Sequence, residues 1–167
     1  MSQTEQAAYR KCLKKILFDD ATLKGFLTGG MFFNQAPRGF GWDDVRTADS
    51  GPYMVIVLVS MPDTLGNGKI RVFVEPTYRI TLYSTNDSAE TEQTLDTAMR
   101  YLDRVLESVR FTVPDATDPF EIRGFTRQTL TQLPWHDDGG IRGLEFQAEY
   151  QSFGYYTNRC SLSGGNV

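Results

Sequence analysis

The run from Tyr53 to Tyr83, YMVIVLVSMPDTLGNGKIRVFVEPTYRITLY, decides the fold of this chain. It opens with seven consecutive apolar residues, Tyr53–Val59. A continuous apolar run of this length is typical of a strand near the centre of a sheet, with both faces covered. Gly66-Asn67-Gly68 is a turn signal inside the following segment, Pro62–Lys69. The run therefore predicts a hairpin with an extended tip.

The second arm of this hairpin extends from Ile70 to Tyr83 and alternates apolar with polar residues. A period of two predicts a half-buried strand. Pro76 lies inside the arm and has no N–H group to donate to a neighbouring strand. We therefore expect the strand to be bent, bulged or at a sheet edge at Pro76.

Helical patterns flank the hairpin on both sides. The longest covers about Ser88 to Arg110, with Asn86, Asp87 or Ser88 as its cap and an apolar stripe at helical spacing. Upstream, the pattern predicts a helix over Thr4–Phe18 and a short one over Ala21–Leu27, followed by a short strand at Met31–Phe33. The apolar stripe of the long helix consists of Leu95, Met99, Leu102, Leu106 and Val109.

Two more strands are predicted after the long helix, over Phe120–Gln132 and Ile141–Phe153. Because helices and hairpins are segregated along the chain, we predict an α+β fold. It should contain a mostly antiparallel sheet of about four to five strands, with the long helix and the N-terminal helix packed on it. Residues 1–153 should form one domain. Residues 154–167 should form a flexible tail that a neighbouring subunit orders, and its removal should leave the fold intact.

Composition excludes several classes of protein. The chain has 167 residues, a formal net charge of −4 and a pI near 5.0, which does not favour binding to nucleic acid. No apolar run approaches the roughly 20 residues of a membrane helix, and none is typical of a signal peptide, so we expect synthesis in a cytoplasm. Cys12 and Cys160 are too far apart in sequence for a CxxC pair, and we interpret them as reduced thiols.

No catalytic motif is present in the sequence, and we expect neither an enzyme nor a cofactor. His136 is the one histidine, and Trp135-His136-Asp137-Asp138 is better explained by a solvated turn than by a metal site. Glu145 and Glu149 share one face of the last predicted strand. They could serve as an acid–base pair, but an exposed or interface-facing polar strand explains them with fewer assumptions.

The layout resembles the tail terminator, or tail completion, proteins of long-tailed bacteriophages. The resemblance covers about Tyr9 to Phe153 and rests on the order of the elements. It also rests on the Gly-Pro-Tyr entry to the central strand, the strand-to-helix junction and the aromatic-rich closing strand. The matching segments are DATLKGFLTGG, FNQAPRG, GPYMVIVLVS, RVFVEPTYRITLYSTND, AETEQTLDTAMRYLDRVLESV and RGFTRQT…GIRGLEFQAEYQSFG.

The resemblance implies a structural virion protein without catalytic residues. Such subunits form a hexameric ring that caps the head-proximal end of the tail tube and ends its polymerisation. The implied partners are other copies of the chain, the tail tube protein and the head–tail connector or stopper. Double-stranded DNA would pass through the ring without specific binding. The protein would be assembled in the host cytoplasm and located in the phage tail or neck.

Candidate contacts follow from position. The loop Gln35–Pro52 contributes Phe40 and Trp42, which could instead fold back onto the core, and the hairpin tip contributes Asn67. Tyr155 and Tyr156 in the tail are too apolar for a linker that makes no contacts. We therefore expect them to dock on a neighbouring subunit or partner. The candidates for an electronegative lumen that does not hold DNA are Asp63, Glu75, Glu145 and Glu149.

Two alternatives remain open from the sequence. One is another phage neck or tail-tube component of similar fold. The other is a small-molecule-binding α+β domain, in which Phe40, Trp42 and Tyr53 would line a pocket. A ring of six favours the terminator, and a monomer or dimer favours the binding domain.

Overall fold

The computed structural model describes residues 5–34, 51–65, 71–84, 88–114, 118–136 and 142–158. Helix α1 (Glu5–Leu13) continues into a π-helical turn (Lys14–Phe18) and is followed by α2 (Ala21–Phe26); the third helix, α3, is Ala89–Glu107. The strands are β1 (Gly30–Phe33), β2 (Tyr53–Ser60), β3 (Asp63–Leu65), β4 (Arg71–Val74), β5 (Thr77–Ser84), β6 (Arg110–Val113), β7 (Phe120–His136) and β8 (Arg142–Tyr156).

All eight strands belong to one sheet. From one edge, β1 pairs in parallel with β2, and β2 pairs with β5. Strand β8 pairs with β5 and β4 on one side and with β7 on the other. Strand β3 pairs with β4, and β6 pairs with β7. Apart from β1 with β2, these pairings are antiparallel.

The α+β class is confirmed, but the predicted sheet of about four to five strands is wrong. The sheet is mixed because of the parallel β1–β2 pair, and it has more strands than predicted. Strands β3 and β6 contain three and four residues, which is too short to give a detectable period. Helix α3 ends at Glu107 rather than Arg110, and Arg110 begins β6 instead.

The expected interruption at Pro76 is confirmed. Residues 75 and 76 separate β4 from β5, although both strands pair with β8. The carbonyl oxygen of Pro76 still accepts a hydrogen bond from the Ser152 N–H group at 2.9 Å, and the Glu75 N–H group donates to the carbonyl of Pro62 at 3.0 Å. The second arm of the hairpin is therefore one interrupted line of strand.

The helices pack on one face of the sheet. Four residues of the predicted α3 stripe, Leu95, Met99, Leu102 and Leu106, are fully buried there. Ser88 caps α3 by accepting a hydrogen bond from the Thr91 N–H group at 3.2 Å. The basic side chains of the N-terminal helical segment, Arg10, Lys11, Lys14 and Lys15, are exposed.

Tyrosine side chains tie the helices to the sheet. Tyr150 on β8 donates a hydrogen bond to Asp103 of α3 at 2.6 Å, and Arg127 of β7 forms an ion pair with the same carboxylate at 2.9 Å. Tyr9 of α1 is fully buried, and its hydroxyl lies 3.1 Å from the Ser152 hydroxyl. Cys12 is also fully buried in this core, where burial raises the pKa of its thiol to about 12.

The predicted boundary of the tail after Phe153 is wrong by at least three residues, because β8 runs to Tyr156. Tyr156 is 7% exposed and donates a hydrogen bond to Glu5 at 2.6 Å. A Cβ atom on Gly154 would lie 2.5 Å from the Phe120 ring and 2.6 Å from the Tyr9 hydroxyl, so glycine is required for this close packing. The end of β8 is therefore part of the core.

None of the described helices is long and apolar enough to cross a membrane.

Candidate assembly surface on the helix-free face of the sheet

The side of the sheet that points away from the helices carries charged, polar and aromatic side chains that are half-buried or exposed. Along β8, buried residues such as Phe146, Ala148 and Tyr150 face the helices and alternate with half-buried or exposed ones. We call the opposite side the helix-free face. Its β8 residues are Glu145, Gln147, Glu149, Gln151, Phe153 and Tyr155.

The charges in the middle of this face are partly neutralised. Glu149 is directly opposite Arg79 of β5, and the two side chains form an ion pair at 3.0 Å. Glu145 is opposite Tyr83 on the same pair of strands. Burial raises the pKa of the Glu145 carboxyl, and the positive charge of Arg79 offsets this only in part. The face is therefore less negative than its carboxylates alone suggest.

Replacing Glu145 by glutamine should stabilise the fold at pH 7. A carboxyl with a raised pKa binds its proton more tightly in the folded chain. The stability that the protonated Glu145 carboxyl contributes is therefore present below its ordinary pKa of 4.5. It is lost as the pH rises through the raised pKa of this carboxyl in the folded chain. In urea unfolding, the free energy of unfolding of Glu145→Gln should exceed that of the wild type at pH 7. The two free energies should be equal well below pH 4.5.

Glu149→Gln is the matched control for this test. It removes an ion pair whose side chains are 39% and 31% exposed. Such a pair contributes about 0.2–1 kcal/mol at most, so this variant should be slightly less stable at pH 7. Equal or lower stability of Glu145→Gln at pH 7 would contradict the assignment of a destabilising half-buried carboxylate.

An aromatic cluster covers the β2 end of the helix-free face. Tyr53 and Tyr83 stack with ring centroids 5.0 Å apart, and Phe32 meets Tyr53 edge-on at 6.5 Å. Val55 is buried beside them, and no described helix contributes to this cluster. Burial raises the pKa of Tyr53 to about 12. These apolar groups lie apart from the main core, in a second layer.

A second aromatic cluster lies at the far end of β8. The ring centroids of Phe73 and Phe153 are 5.0 Å apart, and those of Phe153 and Tyr155 are 5.6 Å apart. Phe153 is 38% exposed, which is high for a phenylalanine. This end of the face therefore presents apolar surface to solvent.

Tyr155 is held by a polar triad with two residues of β7. Its hydroxyl donates to Glu121 at 2.7 Å and accepts from Arg123 at 3.1 Å, while Arg123 and Glu121 form an ion pair at 2.6 Å. Donation to Glu121 raises the pKa of Tyr155. A groove of about 860 Å³ runs along this end, lined by Glu75, Glu107, Arg110, Arg123, Phe153 and Tyr155 among others.

The structure brings together only some of the site residues predicted from sequence. Glu145, Glu149 and Tyr155 share the helix-free face, and Glu75 is exposed in the break between β4 and β5, where it lines the same groove as Tyr155. Asp63 begins β3 and pairs in register with Val74. Phe40, Trp42 and Asn67 lie outside the described residues.

Tyr156 does not belong to this surface. Its side chain is in the core beneath the helices, so the prediction that it docks on a neighbouring subunit is wrong. Tyr155 and Tyr156 are adjacent in a strand and therefore point to opposite faces. The two residues look equivalent in the sequence because both follow the last predicted strand, which ends at Phe153.

Arg79, Tyr83 and Phe73 were not recognised from sequence as members of this surface. The alternation of residues along the second hairpin arm indicates which of them share a parity. It does not indicate which residues of β8 lie opposite, so the Arg79–Glu149 pair had no signal in the sequence.

The described residues show no arrangement for metal binding. Among them, no three His, Cys, Asp or Glu side chains lie close enough together to hold a metal ion. His136 ends β7, and Cys160 lies outside the described residues.

Comparison with known proteins gives a likeness of fold. No protein-family model and no curated protein matches this chain. Among solved structures, the chain is similar to a chain of one described as "Virion of native gene transfer agent (GTA) particle", with a TM-score of 0.56 and 12% sequence identity. The match covers 91% of this chain and 99% of that chain, so the two share their fold over nearly their full lengths.

Proposed function

We propose that this protein is a structural component of a phage-like virion, and more narrowly a tail terminator. In this role, copies of the chain form a ring on the head-proximal end of the tail tube, end its polymerisation and join it to the head connector. The observation that carries the proposal is the fold likeness to a chain of a gene transfer agent virion, which extends over almost the whole of both chains. The sequence resemblance to tail terminators supports the narrower role.

The helix-free face supports a role in assembly. A cyclic ring repeats one head-to-tail contact between two different patches. The aromatic cluster around Phe153 offers an apolar patch of the kind that is buried at the centre of such contacts. A stable contact buries about 1,600 Å² in total.

The polar middle of the same face supports a channel wall that does not hold DNA. We propose that Glu145 and Glu149 face the lumen, together with Glu75 and Asp63. Duplex DNA carries one phosphate charge per about 1.7 Å, so a basic wall would bind it and slow its passage. The Arg79–Glu149 pair neutralises one of these four carboxylates, so the wall stays net negative. The exposed basic residues of the N-terminal helical segment would lie outside the lumen.

Native mass spectrometry tests the ring. We expect a species of six times the 18.9 kDa chain mass, alone or on purified tail tubes, and rings in negative-stain images. Phe153→Asp should abolish the ring without unfolding the chain, because Phe153 is 38% exposed. Leu130→Asp is the matched control for the ring contact alone, since Leu130 is 40% exposed and lies outside the helix-free face, and rings of six should persist in this variant.

Two outcomes would contradict the proposal. One is a chain that stays monomeric both alone and with tubes. The other is a ring that retains duplex DNA at physiological salt, which would contradict the lumen assignment. Another neck or tube component of the same fold would also form rings, but it would not stop tube elongation in a polymerisation assay.

A further inference from the structure

The outer side of β7 is the longest unpaired sheet edge among the described residues. β8 pairs along the whole of β7, but β6 pairs only with Phe120–Arg123. From residue 126 to residue 134 every side chain of β7 is exposed, on both faces of the strand. This part of the strand therefore stands at the rim of the molecule, with backbone N–H and C=O groups available to a further strand.

Exposed edges are normally protected by charges, prolines or bulges. In β7, the bulge at Gly124 lies before the exposed stretch, a second register shift lies between Arg127 and Thr129, and Pro134 ends the stretch, so residues 129–133 have no such protection. Residues 128–133, Gln-Thr-Leu-Thr-Gln-Leu, carry no charge and include two exposed leucines, Leu130 at 40% and Leu133 at 42%. We call residues 128–133 the edge segment.

The edge segment is self-complementary. Its first five residues, Gln128-Thr129-Leu130-Thr131-Gln132, have the same sequence in both directions. When two copies pair antiparallel about Leu130, that leucine meets its counterpart, Thr129 meets Thr131, and Gln128 meets Gln132. Pairs of threonine across strands are favourable contacts in sheets.

We propose that the edge segment joins two copies of this chain as antiparallel strands about a two-fold axis at Leu130. A two-fold contact places one surface against itself, which suits a palindromic segment. The pairing brings no like charges together, because Arg127 would lie opposite Leu133 and is already paired with Asp103. The two exposed Leu130 side chains cover each other.

This contact is independent of the proposed ring. A ring repeats a head-to-tail contact, whereas this contact is symmetric, so it would link two free chains or two rings. The bulge at Gln128 and the proline at position 134 limit the regular ladder to a few residues. A short ladder predicts a weak and reversible dimer.

Disulfide trapping of the full chain tests the register. Directly opposed residues in antiparallel strands have Cα atoms about 4.5–5.5 Å apart, within the range of a disulfide. In a Cys160→Ser background, Leu130→Cys should give a disulfide-linked dimer under mild oxidation, while Cys12 stays buried and unreactive. Thr129→Cys and Thr131→Cys should each give little dimer alone but a mixed dimer when combined.

Light scattering over a concentration series gives the second readout. Leu130→Lys should weaken dimerisation at least tenfold, with circular dichroism unchanged because the side chain is exposed. Absence of a disulfide from both Leu130→Cys and the mixed pair would overturn the proposal. So would a Thr129→Cys dimer as abundant as the Leu130→Cys dimer. Hexameric rings without the 130–130 disulfide would overturn this contact and leave the proposed function standing.

Discussion

Replacing Tyr156 by alanine should lower the free energy of unfolding by about 3–5 kcal/mol, whereas the same change at Tyr155 should cost less than about 1 kcal/mol. The two residues are neighbours of the same type on opposite faces of β8. Tyr156 is 7% exposed, its ring packs on Phe120 at 4.9 Å, and its hydroxyl donates to Glu5 at 2.6 Å. Alanine would leave a cavity between the sheet and α1.

Tyr155 is the control because its contacts are at the surface. Its loss leaves the Arg123–Glu121 ion pair in place. Urea unfolding followed by circular dichroism would measure both variants. Similar losses at the two positions would contradict the assignment of Tyr156 to the core. For the same reason, a chain that ends after Phe153 should fail to fold, contrary to the expectation from sequence.

Tyr9→Ala should destabilise the chain by about 3–5 kcal/mol, and Tyr9→Phe by about 0.5–1.5 kcal/mol. The Tyr9 side chain is fully buried and contacts three aromatic rings, with centroid distances of 5.8 Å to Tyr78, 5.9 Å to Phe120 and 5.8 Å to Phe125. Alanine removes all of these contacts and leaves a large cavity between α1 and the sheet.

Phenylalanine at this position keeps the ring and removes only the hydroxyl. Ser152 would lose the hydrogen bond to Tyr9 but keep the one that it donates to the Arg123 carbonyl at 3.3 Å. Thermal and urea unfolding of the two variants separate the effect of the cavity from that of the hydrogen bond. If both variants lose the same stability, the hydroxyl rather than the packing holds α1 in place.

The long, strongly patterned elements could be predicted from sequence because their periods report burial directly. The apolar stripe of α3 and the continuous run in β2 are examples. The end of α3 could not be predicted, because Val109 continues the helical stripe although the helix stops at Glu107. Val109 is buried in the same core as the stripe residues. An apolar residue is therefore expected at position 109 whether the helix continues to it or ends before it.

The end of β8 was predictable from its parity but not from its composition. Even-numbered residues are buried from Leu144 to Tyr156, so the alternation continues past Phe153 without a break. Glycine and serine beyond that point suggested a linker instead. Gly154 pairs with Val74 and Ile122 in the sheet, and the residue is glycine because two aromatic side chains occupy the space that a side chain would need.

The pairing of charges across the helix-free face needs the register of the strands, which a single sequence does not contain. Arg79 and Glu149 are 70 positions apart. Their ion pair determines the charge of the face, and it exists only because β5 and β8 align at this register. The sequence therefore indicated which carboxylates share a face but not which of them a cation neutralises.

The central position of β8 has a consequence for how the chain folds on the ribosome. β8 pairs with β4, β5 and β7, and it follows every other described strand in sequence. Until it has emerged, the sheet consists of three separate pieces, β1–β2–β5, β3–β4 and β6–β7, with no strand to join them. Helix α1 also lacks its partners Ser152 and Tyr156, which are 143 and 151 positions away from Tyr9 and Glu5. Contacts of such long range slow folding, so the sheet of the nascent chain should stay incomplete until β8 has been translated.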